Sequence, residues 1–243
     1  MNRRDFQLGA VVLAVLLAAM AWAVARQPVR YLDFSLKPAR AAAIPALAIL
    51  PKQAGPFPVV VYLHGSGDDL VRTSGTLREF AAQGLAGVSM EYNQTNRAAF
   101  DAQFEALLAW LPHQRWADTN RVAWVGFSLG AQRMLSYVLE HPASAPPVLV
   151  RLGGGMVPEL TNAPPARLSS NVLLVHGEQD EVFRFSSVEE VRKQLVAAHA
   201  QVETRILPGQ PHTFGPNREL VLHWVAEECA ARLARGSQIA RTP

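Results

Sequence analysis

The five residues Gly126-Phe127-Ser128-Leu129-Gly130 connect a predicted strand, residues 121–125, to a helical pattern that begins near Ala131. Two glycines around a serine in this context predict a tight turn that lifts the serine hydroxyl clear of a sheet. Glycine leaves the backbone room to turn this sharply because it carries no side chain. A glycine-rich turn without a role is the alternative for the motif considered alone. The strand–turn–helix context favours Ser128 as a candidate nucleophile.

Strand-like and helix-like segments alternate along the rest of the chain. Short apolar or β-branched runs predict strands, and longer segments with apolar residues at helical spacing predict helices. This alternation implies an α/β fold with a mainly parallel central sheet and helices on both faces. The irregular segment 153–170 is too short for a large lid domain. The predicted strands are residues 31–36, 45–50, 59–63, 85–92, 121–125, 148–152, 172–175 and 202–207, and the predicted helices are 73–83, 98–116, 131–139, 188–199 and 219–234.

Two loops later in the chain offer the groups that would activate a serine. A serine hydroxyl needs a base that removes its proton, and that base needs an acid that orients it. Asp180 follows the predicted strand 172–175, and His212 follows the predicted strand 202–207. The acid comes before the histidine, which is the chain order expected for a serine on this kind of turn. We therefore expect Ser128, Asp180 and His212 to form one catalytic group.

Other interpretations of these two loops stay open. Glu178 and Glu181 lie beside Asp180 in the sequence and could take its place next to the histidine. A solvated carboxylate and a surface histidine are the ordinary interpretations of Asp180 and His212 when each is considered alone. Their common order and their positions after strands favour the joint catalytic interpretation.

The loop after the predicted strand 59–63 reads His64-Gly65-Ser66-Gly67-Asp68. A loop in this place supplies one backbone N–H to an oxyanion hole, and the residue after the nucleophile supplies the other. We assign the two donors to Ser66, with Gly67 as the second choice, and to Leu129. A glycine turn without a role is the alternative for this loop considered alone.

The remaining histidines predict no metal or cofactor chemistry. His64 and His176 each precede a glycine at the end of a strand, where we expect them to shape the turn. The other four lie on or beside predicted helices: His113, His141, His199 and His223. The sequence has no His-x-x-x-His pair, no cysteine cluster and no phosphate-binding glycine loop. We therefore expect no metal and no cofactor.

Composition and charge are those of an ordinary globular protein. The 243 residues are 49% hydrophobic and carry a formal net charge of +3, without a run of lysines and arginines. The chain is long enough for one domain with a sizeable core, and nucleic-acid binding is not expected. The single cysteine, Cys229, rules out an internal disulfide, and its helical context favours a packed thiol.

The first 26 residues differ in character from the rest of the chain. The charged segment Asn2-Arg3-Arg4-Asp5-Phe6 precedes an almost uninterrupted apolar run over residues 8–25, in which Ala23-Val24-Ala25 offers a cleavage site. The paired arginines resemble a twin-arginine export signal, and the run is also long enough for an uncleaved membrane anchor. We expect a signal peptide or anchor over residues 1–26 and a single folded domain over residues 27–243. This predicts a protein exported to the cell envelope or secreted, with the membrane contacted only through the N-terminal segment.

Four segments, residues 64–68, 126–130, 176–180 and 208–214, resemble the dienelactone-hydrolase-like branch of the α/β-hydrolase superfamily. The resemblance covers most of residues 59–233, and the first segment is also similar to the carboxylesterase and acyl-thioesterase branch. It implies an α/β-hydrolase fold, catalytic Ser128, Asp180 and His212, and hydrolysis of small-molecule esters or lactones. Dienelactone hydrolases themselves use cysteine as the nucleophile, so the serine here favours a general carboxylesterase.

The expected activity is therefore hydrolysis of carboxylic esters, including lactones or thioesters, through an acyl-enzyme intermediate. A serine peptidase or an acyltransferase would use the same three side chains on the same fold. A third alternative is a catalytically inactive envelope protein that keeps the fold as a binding module. Such proteins usually lose one of the three residues, and all three are present here.

Overall fold

In the computed structural model, which describes residues 28–39, 42–162 and 167–239, eight strands form one sheet. The strands are β1 Val29–Leu36, β2 Ile44–Pro51, β3 Phe57–Leu63, β4 Ala86–Met90, β5 Ala117–Phe127, β6 Val148–Leu152, β7 Asn171–Gly177 and β8 Gln201–Leu207. Their order across the sheet is β1-β2-β4-β3-β5-β6-β7-β8. β2 pairs antiparallel with β1 and β4, and all the other pairs are parallel. The predicted mainly parallel sheet is confirmed, and the predicted signal or anchor segment lies outside the described residues.

Helices connect the strands and begin at the positions that the local sequence favours. The described helices are α1 Leu70–Ala82, α2 Arg97–Trp110, α3 Leu129–Glu140, α4 Glu159–Asn162, α5 Phe185–Ala197 and α6 Arg218–Ile239. The Asp69 side chain caps α1 by accepting the Arg72 N–H at 2.9 Å. Asn96 caps α2 in the same way through the Ala99 N–H at 3.0 Å. Such caps satisfy backbone donors that have no acceptor within the helix. None of the described helices is long and apolar enough to span a bilayer.

Two apolar layers hold the helices against the sheet. α2, α3 and α5 pack on one face, where the aromatic rings of Phe104, Trp124 and Tyr137 contact one another. α1 and α6 pack on the other face. Residues 59–63 of β3 are buried on both faces, as expected for a central parallel strand read from a continuous apolar run. The helices on both faces of the sheet are therefore confirmed.

Some predicted boundaries were wrong. The helix predicted over residues 98–116 ends at Trp110, and a 3-10 turn, Leu111–His113, follows it. Pro112 lies in that turn, and proline ends a helix because it has no N–H and its ring clashes with the preceding turn. β5 then begins at Ala117, four residues before the predicted start at Arg121.

The sheet places the candidate residues along one edge. β3, β5, β7 and β8 run parallel, so the loops that follow their carboxyl ends lie next to each other. These are the loops that begin near His64, Ser128, Glu178 and Pro208. In open α/β sheets this edge is where ligands bind.

Candidate active site

The turn that carries Ser128 is strained and closely packed. Ser128 lies between β5 and α3 with φ 51° and ψ −113°, a backbone conformation that residues with side chains rarely adopt. A Cβ on Gly126 would lie 2.6 Å from Ala131, and one on Gly130 would lie 2.2 Å from the Leu63 carbonyl oxygen. Both positions therefore require glycine.

His212 lies between Ser128 and Asp180. Its Nε2 is 2.9 Å from Ser128 Oγ, and its Nδ1 is 2.8 Å from Asp180 Oδ2. The Asp180 side chain is 1% exposed and that of His212 8%. A carboxylate only accepts hydrogen bonds, so Nδ1 carries the imidazole proton and Nε2 is left free to accept the serine proton. The structure thus brings together the three side chains that the sequence placed in three separate loops.

Asp180 and its acidic neighbours have different partners. Asp180 Oδ1 accepts the backbone N–H groups of Val182 and Phe183 at 2.9 and 2.8 Å, which fixes the carboxylate toward the imidazole. Glu181 Oε2 accepts the backbone N–H of His212 at 3.0 Å, and this bond lowers the pKa of the Glu181 carboxyl.

Glu178 in turn binds the other end of the histidine loop. Its Oε2 accepts the Gly209 N–H at 2.8 Å. Both glutamates therefore hold the backbone of the loop that carries His212, and Asp180 is the carboxylate that contacts the imidazole.

The His212 ring is packed from several sides. The Phe127 and Phe183 rings lie 5.4 and 5.5 Å from it, centroid to centroid. A Cβ on Gly153, which has φ +55°, would lie 3.2 Å from the imidazole. Sequence analysis missed these three residues. The run Gly153-Gly154-Gly155 directly after β6 was a usable signal, because consecutive glycines at a strand end often mark a close approach of the backbone to another group.

The loop after β3 is held by side chains that follow β4. The Tyr92 hydroxyl donates to the His64 carbonyl at 2.5 Å, and the Gly67 N–H donates to Gln94 Oε1 at 2.9 Å. The N–H of Gly67, the second choice for an oxyanion donor, is thus already hydrogen-bonded to the Gln94 side chain. Within the described parts of the chain, the N–H groups of Ser66 and Leu129 donate to no protein acceptor. Sequence analysis missed Tyr92 and Gln94, whose contacts depend on the pairing of β3 with β4.

A cavity of about 580 Å³ opens beside Ser128 and His212. One wall carries Asp68 between two arginines, with Arg72 Nη1 at 3.7 Å and Arg218 Nη2 at 3.9 Å from its carboxylate oxygens. The Arg218 guanidinium also lies over the Phe127 ring, 4.4 Å from its centroid. The cavity therefore has a polar, charged wall close to the candidate nucleophile.

Among the described residues, no group of three or more histidine, cysteine, aspartate or glutamate side chains is arranged to bind a metal ion. Cys229, the single cysteine, is buried in α6, and burial raises the pKa of its thiol to about 12. It packs in the core on the α1 and α6 face of the sheet.

Solved structures with a similar fold include a protein from Klebsiella pneumoniae named as a candidate dienelactone hydrolase. It is 20% identical, has a TM-score of 0.69, and the match covers 85% of this chain and 99% of that one. An esterase from Rhizomucor miehei is 14% identical, with a TM-score of 0.71 and coverages of 89% and 88%. An esterase from Pyrobaculum calidifontis is 16% identical, with a TM-score of 0.69 and coverages of 95% and 93%. At these identities the likeness shows the fold, which is that of the α/β-hydrolases.

No curated protein matches the chain at a significant level. The sequence profile of the dienelactone hydrolase family matches residues 79–235, which is more than half of the chain. The matched segment includes the strand–turn–helix at Ser128 and the loops that carry Asp180 and His212. The chain therefore belongs to the dienelactone hydrolase family and is a hydrolase of ester bonds.

Proposed function

We propose that this protein is a serine carboxylesterase that works through an acyl-enzyme intermediate on Ser128. The observation that carries the proposal is the position of His212, whose imidazole spans Ser128 Oγ at 2.9 Å and Asp180 Oδ2 at 2.8 Å. Both distances are within hydrogen-bonding reach, which a general base needs before it can take a proton.

The acylation step follows from this geometry. Ser128 Oγ attacks the ester carbonyl carbon while its proton passes to His212 Nε2, and the carbonyl π electrons move onto oxygen. The backbone N–H groups of Ser66 and Leu129 are the proposed donors to that oxyanion, and the N-terminus of α3 adds a favourable dipole. When the tetrahedral intermediate collapses, His212 gives the proton to the leaving alcohol. Asp180 stabilises the imidazolium between these two transfers.

Deacylation repeats the sequence with water as the nucleophile. His212 takes a proton from the water that attacks the acyl carbon, and it returns this proton to Ser128 Oγ when the acid leaves. The net reaction consumes one ester and one water and gives one acid and one alcohol. No metal or redox cofactor takes part in the proposed steps.

A fluorophosphonate probe combined with a panel of ester and thioester substrates tests this proposal. We expect one molecule of probe per chain, attached to Ser128, and turnover of small esters that disappears when the probe is bound. Glu181→Gln serves as the control, and we expect the probe to label this variant too, because an amide oxygen also accepts the backbone N–H of His212. Absence of labelling in the folded protein would contradict the proposal, whereas labelling with turnover only of peptides, or only acyl transfer to an added alcohol, would favour the two enzyme alternatives.

A further inference from the structure

A second buried imidazole lies against the carboxylate that orients His212. His176, at the end of β7, is 1% exposed, and its Nδ1 is 3.5 Å from Asp180 Oδ2. The same oxygen accepts from His212 Nδ1 at 2.8 Å. One carboxylate oxygen therefore faces two imidazoles, and the reaction proposed above uses only one of them.

The contacts of His176 determine which of its nitrogens carries the proton. Its Nε2 lies 2.9 Å from the Phe183 carbonyl oxygen, and a carbonyl oxygen only accepts, so Nε2 is the protonated nitrogen. In the neutral ring Nδ1 then presents a lone pair. This Nδ1 is buried and has no hydrogen-bond partner, although it faces Asp180 Oδ2. Neutral His176 thus does not compete with His212 for the carboxylate.

The hydrogen bond to Phe183 also shapes the Asp180 loop. Phe183 donates its N–H to Asp180 Oδ1 at 2.8 Å, and its carbonyl accepts from His176. Its ring packs 5.5 Å from the His212 ring. His176 is therefore connected, through the backbone of one residue, to both the carboxylate and the imidazole of the candidate catalytic group.

The groups around His176 disfavour a positive charge on it. Burial lowers its pKa, and His212 and the buried Arg151 add to this effect, against the opposing influence of Asp180 and the Phe183 carbonyl. The Arg151 side chain, on β6, donates to the carbonyl oxygens of Ala131 and Gly155 at 3.3 and 2.7 Å. Burial lowers the pKa of the Arg151 guanidinium to about 9, so this side chain still carries a positive charge at pH 7 and disfavours a second one on His176.

We propose that His176 is a positioning residue for Asp180: neutral, it holds the loop through Phe183 and leaves the carboxylate to His212. Once protonated, it donates from Nδ1 to Asp180 Oδ2 and competes with His212 for that oxygen. This inference rests on the proposed triad. It predicts that proton uptake by His176 inactivates the enzyme at acid pH, in addition to the loss expected of any enzyme with a histidine general base.

The protonation state of His176 is measurable without turnover. Long-range ¹H–¹⁵N spectra of the full chain, with the His176 signals assigned by their loss in His176→Gln, report which nitrogen is protonated. We expect the neutral Nε2–H form at pH 7. An Nδ1–H form, or a doubly protonated ring at this pH, would overturn the proposal whatever the outcome for Ser128.

The pH profile of kcat/KM gives the second measurement. His176→Gln keeps an amide donor near the Nε2 position but cannot titrate, so we expect kcat within about tenfold of the natural protein. In the natural protein the slope of log(kcat/KM) against pH should steepen from one toward two at acid pH. It should stay at one in His176→Gln. His223→Gln, a matched change on α6 where the histidine pairs with Glu79, should keep the steeper slope.

A third variant separates the loop contact from the titration. His176→Phe removes the donor to Phe183, so we expect kcat to fall roughly 100-fold, as for other small displacements of catalytic groups, with KM little changed. Circular dichroism at each pH, and recovery of activity on return to pH 7, exclude acid unfolding as the source of the slopes. If the natural protein and His176→Gln show the same acid slope, or if His176→Phe matches His176→Gln in kcat, the proposal is wrong.

Discussion

In the proposed mechanism three side chains depend on one another, those of Ser128, His212 and Asp180. His212 would accept the serine proton in a ring orientation that Asp180 holds through a 2.8 Å hydrogen bond. Groups that act as a unit lose their function together, so the second removal costs little after the first. This non-additivity separates a working triad from three residues that merely lie close together.

We expect Ser128→Ala to lower kcat roughly a million-fold, as for the nucleophile of other serine hydrolases. The double variant Ser128→Ala with His212→Ala should be only slightly slower than Ser128→Ala. Steady-state hydrolysis of one small ester, with the folding of all variants checked by circular dichroism, gives the comparison. Losses that multiply, or a Ser128→Ala enzyme that keeps most of its activity, would show that the assignment is wrong.

The carboxylates near His212 should differ sharply in importance. Asp180→Asn removes the charge that orients the imidazole, and we expect kcat to fall about 10,000-fold. Glu178 and Glu181 should not replace it, because both are engaged by backbone N–H groups of the histidine loop. Glu181→Gln keeps an acceptor for the His212 N–H, so a loss of less than about tenfold is expected. Equal losses in kcat for the two variants would contradict this distinction.

Among the elements of the fold, the connection between β5 and α3 tolerates least change. The backbone around Ser128 passes so close to β3 that the turn has no space for a side chain at position 130. The packing of three elements thus decides the geometry of Ser128, and the glycines of the motif are a steric requirement of that packing.

A pair of glycine substitutions tests this steric requirement. Gly130→Ala places a Cβ 2.2 Å from the Leu63 carbonyl, so it should destabilise the fold or displace Ser128, with loss of activity. Gly75→Ala, in the middle of α1 where a Cβ has open space, should instead raise the free energy of unfolding by about 0.5–1 kcal/mol. Urea unfolding measures both variants. A Gly130→Ala protein with unchanged stability and activity would show that the packing is looser than the structure indicates.

For the molecule as a whole, the volume of the cavity limits the length of the acyl group that the substrate can carry. A space of about 580 Å³ lies within the range of small-molecule pockets, and one of its walls is polar and charged. We therefore expect kcat/KM to be highest for short or medium acyl groups and to fall for long-chain lipids. A series of p-nitrophenyl esters of increasing acyl length, at concentrations below micelle formation, measures this. A steady rise in kcat/KM up to long-chain acyl groups would contradict it.

The charged and apolar segment at residues 1–26 leads us to propose export of the protein. A reporter enzyme that is active only outside the cytoplasm, fused after Arg26, should be active in cells. Replacing Arg3 and Arg4 with glutamine in the same fusion is the matched control, and export should decrease. A chain that begins at Gln27 should fold and stay soluble, since β1 begins at Val29. Reporter activity confined to the cytoplasm would contradict the proposed localisation.

The order of the eight strands and the five longer helices could be read from the sequence alone, and so could the tight turn at Ser128, whereas the short helix α4 was missed. These features depend on residues close together in the chain: the side-chain periodicity of each element, the glycines of the turn, and the prolines that end helices. The positions of Asp180 and His212 after strands were also visible in this way. Where Pro112 lay inside an otherwise helical pattern, the periodicity misled the prediction and the helix was extended too far.

Only the tertiary structure decided which of these groups meet. The sequence favoured Asp180 and left Glu178 and Glu181 open as substitutes, and the choice among the three depends on a contact between two loops 32 residues apart. The contact of Gln94 with Gly67 and the packing of Gly153 on His212 also join segments far apart in the chain. Such contacts are set by strand order and register across the whole sheet, and local patterns carry no record of them.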